Sequence, residues 1–166
     1  MEISFVKVNP FEIDKILSLL RSAAISLQNK GVNQWKLWMD PPEDKIQWVV
    51  NGLLNNEFFF IQQGIDNVGM VRLSNEDEIY WGKQSSTAYY IHSLVIAEQF
   101  SGMKLGEKVL KLVMDEATKN SIPLLRLDCI SSNQKLCNYY ENQGFVKVGE
   151  KQLSHSLNNL YEKQLS

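Results

Sequence analysis

The sequence predicts a mixed sheet with helices on its faces, and three stretches carry that prediction. "EFFFIQQ" and "NVGMVRL" flank "GID" as an antiparallel hairpin. "TAYYIHSLVIA" is the longest apolar run and reads as a central strand buried on both faces. Beyond residue 103 the apolar positions Leu105, Val109, Leu112, Val113 and Ala117 recur at helical spacing, and "IPLLRLDCI" then returns as a strand. A hairpin set running into one β-α-β crossover gives both antiparallel and parallel neighbours.

The other elements come in order. "ISFVKV" alternates as a first strand until Asn9-Pro10 breaks it. Ile13, Ile16, Leu17, Leu20, Ala24 and Leu27 mark an amphipathic helix ending near Gly31. "VNQWKLWMDPPEDKIQWVVNGLL" starts as a loop and becomes a short helix after Pro41-Pro42. "IYWG" (79–82) is expected as a short strand beyond the acidic turn "NEDE". "SNQKLCNYYENQ" is a helix begun by Ser132 or Asn133 and closed by Gly144, and "FVKVGE" and "NNLYEKQL" are strands. With no repeat, linker or low-complexity segment, residues 1–166 are expected as one domain.

Composition narrows the function classes. Hydrophobic content of 44% and charged content of 22% suit a soluble globular protein. A net charge of −2 without a basic run gives no footprint for nucleic acid. No stretch approaches the ~20 apolar residues of a membrane span, and the start is not that of a signal peptide. Cys129 and Cys137 lack metal-ligand spacing, so no metal is expected, and they read as reduced thiols of a cytoplasmic protein.

The segment "EQFSGMKLGEKVL" (98–110) puts Gly102 and Gly106 at the mouth of a helix, where each lowers helix propensity by roughly 1 kcal/mol. A helix entered from a buried strand presents unpaired N–H groups and a positive dipole end, which together form an anion site, usually for phosphate. The spacing is neither that of a P-loop nor G-x-G-x-x-G. Two glycines alone are better explained by a tight strand-to-helix turn.

"YIHSLVIAEQFSGMKLGEKVL" followed by "LRLDCISSNQKLCNYYENQGF" resembles the GCN5-related N-acetyltransferase superfamily. That family's Gln/Arg-x-x-Gly-x-Gly/Ala signature falls on Ser101, Gly102, Met103, Lys104, Leu105 and Gly106. Only the last position matches. Ser101 replaces Gln or Arg, and Lys104 replaces the first glycine. The family's later pattern of Asn, Tyr and Gly-Phe falls on Asn133, Tyr140 and Gly144-Phe145.

The resemblance implies a mixed, mostly antiparallel sheet of six to seven strands with a splayed central pair, flanked by about four helices. It implies acetyl-CoA as cosubstrate. The pantetheine arm would pair with main-chain groups of Leu94, Val95 and Ile96, and the N–H groups of Ser101 to Gly106 would receive the pyrophosphate. Asn133 would bond the pantetheine amides. Tyr140 would protonate the departing thiolate, which a phenol of pKa about 10 can do for a thiol of about 8.5 or above. The plainer alternative makes Tyr140 a core aromatic packed on Leu136.

For the base, Asp128 matches a position where some family members carry a carboxylate. Arg126, on the same strand face, offers the competing explanation of an ion pair. His92 shares a face with Leu94 and Ile96 and has an ordinary pKa of about 6.5. A core histidine and a base-free water chain are the alternatives. Trp35, Trp38, Trp81 and Tyr90, with the acidic Glu76, Asp77 and Glu78, suit an acceptor pocket for a cationic amine. The expected activity is acetyl transfer to a primary amine of a small molecule or peptide, without nucleic-acid or membrane partners. Edge strands of such sheets pair, so a homodimer is an expectation too. The alternative is a non-catalytic CoA-binding domain on the same scaffold.

Overall fold

The computed structural model describes residues 2–165. The chain runs β1 (Ile3–Lys7), α1 (Ile13–Asn29), α2 (Glu43–Leu54), β2 (Phe58–Gln63), β3 (Asp66–Ser74), α3 (Glu78–Trp81), β4 (Ala88–Ile96) and α4 (Leu105–Lys119). It continues through β5 (Leu124–Ile130), α5 (Gln134–Asn142), β6 (Val146–Gln152) and β7 (Leu157–Gln164). The strands form a seven-stranded sheet of order β1-β2-β3-β4-β5-β7-β6. The β4–β5 pair is parallel, whereas β1–β2, β2–β3, β5–β7 and β6–β7 are antiparallel. This is the mixed sheet that the sequence pattern predicts, and it is mostly antiparallel with seven strands, as the resemblance implies.

One expected element differs. Residues 79–82 are not a strand, because Glu78–Trp81 forms α3. The Asp77 carboxylate accepts from the Tyr80 N–H at 3.2 Å and starts the turn. Asp77 is therefore a buried cap, not part of a solvated acidic loop.

Two compact units divide the chain, one holding residues through Leu73 with His92–Val109, the other Ser74–Ile91 with Leu110 onward. In the first, β1 pairs with β2 and β2 with β3. Ile16, Leu20, Val49, Leu53, Phe58, Phe60, Met70 and Val95 build its core. The apolar stripe of α1 supplies Ile16 and Leu20, as its spacing requires. The helix stops at Gly31, whose φ of 75° only glycine adopts at little cost.

In the second unit the parallel ladder joins Ala88, Tyr89 and Tyr90 to Leu124, Leu125 and Arg126. It covers only the start of β4. β5 then pairs with β7 along its length, Leu124 through Ile130. Trp81, Ala88 and Tyr90, with Tyr80, Leu124 and Leu160, form an apolar cluster here. Asn133 caps α5 by accepting from the Leu136 N–H at 3.2 Å, and Gly144 lies just beyond the helix with φ 91°.

Candidate active site

In the first unit the decisive feature is the second half of β4. Ser93 has φ 51° inside this strand, a left-handed residue that marks a bulge and re-aims the residues beyond it. The Ala97 N–H donates to the Val68 carbonyl at 2.9 Å, so residues 95 and 97 turn their main chain toward β3. Strand alternation turns the peptide groups of Leu94 and Ile96 the other way. After a 3-10 turn at Glu98–Phe100, Gly102 has φ 77° and Lys104 φ 56°, and α4 begins at Leu105.

Lys104 explains the first glycine of the family signature. That position is left-handed, where a side chain costs about 1–2 kcal/mol. Leu105 is buried and anchors the first turn of α4, while Met103 is exposed. The Ser101 N–H, expected as a free donor, already donates to the Glu98 carbonyl at 3.0 Å. Glu98 is itself held on α1 by the Ser26 hydroxyl and by Lys30 at 3.9 Å.

His92 meets the Trp48 ring edge-on at 6.0 Å and 89°. Burial, and then the Arg72 charge, push its pKa down to about 3. The ring stays neutral at physiological pH and is too weak a base for an amine, contrary to the ordinary value expected of it. Arg72 lies over the Trp48 ring at 3.9 Å and bonds Glu57 Oε1 at 2.7 and 3.0 Å and the Trp48 carbonyl at 3.1 Å. Trp35 and Trp38 pack against the unit's core.

In the second unit Asp128 accepts from Asn158 Nδ2 at 2.8 Å. Burial raises its pKa to about 6, Asn158 offsets part of that rise, and Asp77 adds to it. Arg126 does not pair with Asp128 as its strand position suggests. It bonds Glu162 Oε2 and the Tyr90 hydroxyl, each at 2.8 Å. Asp128 is thus held by an amide and, among the described residues, makes no ion pair, which leaves it able to take a proton.

Tyr140 packs edge-on between Tyr139 at 5.4 Å and Phe145 at 5.8 Å. Burial above all, with the charges of Cys129, Tyr139 and Asp128, pushes its pKa up, so it holds its proton. Among the described residues its hydroxyl has no hydrogen-bond partner. Trp81 and Tyr90 are buried and stack edge-on at 5.8 Å, the Tyr90 hydroxyl accepting from Arg126 and the Arg126 guanidinium lying 4.8 Å from the Trp81 ring.

Several groups escape a reading of the sequence. Tyr80 lies close enough to Asp128 and Asp77 that burial and their charges push its pKa up to about 12. Asn158 and Arg72 are invisible there because their partners are distant in sequence.

A family model described as the acetyltransferase (GNAT) family matches residues 21–145. The chain belongs to the acetyltransferase (GNAT) family. It is similar to "Uncharacterized N-acetyltransferase YesJ" of Bacillus subtilis (strain 168), 23% identical over 160 residues, covering 93% of this chain and 86% of that protein. Its fold matches a GNAT-family acetyltransferase from Listeria monocytogenes 4b F2365 at a TM-score of 0.81 and 24% identity, over 98% of this chain and 95% of that one. A chain of the NatC complex, crystallised with Gag peptide and CoA, matches at 0.68 and 14% identity over 100% of both chains.

Proposed function

We propose that this protein is an acetyl-CoA-dependent N-acetyltransferase that passes the acetyl group directly to a primary amine of a small molecule or peptide. The observation that carries this reading is the left-handed Ser93 followed by left-handed Gly102 and Lys104 at the entry to α4. The bulge turns peptide groups of β4 outward, where an extended pantetheine arm can add as a further strand. The loop exposes successive N–H groups from Gly102 onward beside the positive end of a 15-residue helix, which suits a diphosphate. The Lys104 ammonium adds a cation to the same loop. CoA, the molecule crystallised with the NatC complex, combines both parts.

Acetyl transfer needs a base for the incoming amine, hydrogen bonds for the tetrahedral oxyanion, and an acid for the thiolate. Asp128 serves as the base, directly or through one water. A main-chain N–H supplies the hydrogen bond to the oxyanion. Tyr140, whose hydroxyl makes no hydrogen bond among the described residues, is the acid. The carboxylates of Asp77 and Asp128 favour a cationic acceptor, which must lose one proton before attack. The buried, unbridged thiols of Cys129 and Cys137, 3.3 Å apart, suit a reducing cytoplasm.

The test is acetyl-CoA turnover with a panel of primary amines, read as free-thiol release. Amine-dependent release supports the proposal. Binding of acetyl-CoA with no release for any amino acid, polyamine, amino sugar or peptide N-terminus would leave only the CoA-binding reading.

A further inference from the structure

Gly69 lies in the middle of β3 between the fully buried Val68 and Met70. Ile61 of β2 pairs with Gly69 while Gln62 pairs with Asn67, so Val68 is an extra residue in a bulge. The Gly69 N–H is drawn to the local Asn67 Oδ1 at 3.2 Å. Its φ is outside the left-handed region, so backbone conformation does not demand glycine. Space does. A β-carbon on residue 69 would lie 2.0 Å from the Val95 carbonyl oxygen, 3.1 Å from its carbon and 3.2 Å from the Ile96 Cα. All three are main-chain atoms, so no side-chain rotation relieves the clash, and β4 itself must move.

We propose that Gly69 is a positioning residue for acetyl-CoA: its bare main chain seats the Val95–Ile96 peptide of β4 and thereby aims the Leu94 and Ile96 groups at the pantetheine arm. The inference rests on the proposed function, which makes that strand edge the pantetheine site. β3 carries an extra residue at Val68, and β4 has a left-handed residue at Ser93, two positions before the Val95 contact. Ala97 locks the far end of the contact through its bond to the Val68 carbonyl. The strand edge is thus fixed by a contact on its opposite side, where a shift of about 1 Å can cost on the order of 10²-fold in rate. The pyrophosphate loop, which begins past Ala97, is outside this contact.

The experiment titrates the unsubstituted protein, Gly69→Ala and Asn67→Ala with two ligands. One is acetyl-CoA and the other is 3′-phosphoadenosine 5′-diphosphate, which lacks the pantetheine arm. Gly69→Ala is expected to weaken acetyl-CoA about tenfold or more while leaving the nucleotide within about twofold. Asn67→Ala only frees the Gly69 N–H and is expected to weaken acetyl-CoA about threefold, with the nucleotide unchanged. Equal weakening of both ligands by Gly69→Ala, or no weakening of acetyl-CoA, overturns the inference alone. If Gly69→Ala does not fold, Asn67→Ala decides, and an unchanged acetyl-CoA affinity there overturns it. If the unsubstituted protein binds neither ligand, the functional reading falls first and this inference with it.

Discussion

Asp128 gives up its proton only near pH 6, because burial opposes its charge, the Asn158 amide restores part of the balance and Asp77 works against it. A base must be ionised to act, so kcat/KM is expected to rise with pH up to about 6 and then level. Asp128→Asn should lose this acidic limb along with most of the rate, and a pH–rate profile of the two proteins checks it. The same shift affects stability in a definite direction. The folded pKa lies above the ordinary 3.8, so the folded state binds more protons than the unfolded one between the two values. Stability therefore falls as pH rises from about 4 to 6 and stays lower above that, and Asp128→Asn is expected to gain ~1–2 kcal/mol at pH 7 by denaturant titration. A Tyr140→Phe substitution should reduce kcat by about 10²–10⁴ with KM for acetyl-CoA unchanged, and an unaltered kcat would remove Tyr140 from the acid role.

At the scale of elements, Gly52 of α2 shows how a helix yields to a packed arginine. A β-carbon there would lie 2.5 Å from Phe58 Cε2 and 2.7 Å from Arg72 Cζ. Gly52→Ala adds about 1 kcal/mol of helix propensity and is still expected to destabilise by ~1–3 kcal/mol, because the Arg72–Trp48–Phe58 stack must open. Denaturant unfolding measures the sign. The hairpin, β4, α4 and α5 are legible in the sequence because each fills several periods of its own pattern. α3 is not, since four residues complete barely one helical turn and "IYW" suits a strand equally well. The bulge at Ser93 is illegible for a different reason. It changes φ at one residue and leaves the apolar run around it intact. Asn133, Tyr140 and Gly144 can be placed because a helix sets their spacing. Asn158 and Arg72 cannot, because their roles depend on contacts made only by folding.

At the scale of the whole molecule, β3, β4 and α4 each contribute residues to both compact units. No linker separates the units in sequence, which is why composition shows no boundary. Among the described residues no helix is long and apolar enough to cross a membrane. A ligand that binds only the folded state stabilises it by about 2.7 kcal/mol at a hundredfold excess over Kd. The most direct measurement is calorimetric titration of the protein with acetyl-CoA, using NAD and ATP as controls. Saturable binding of acetyl-CoA at one site per chain, far tighter than either nucleotide, is the predicted result. Equal or tighter binding of NAD or ATP, or no heat with acetyl-CoA, would contradict the proposed function at its centre.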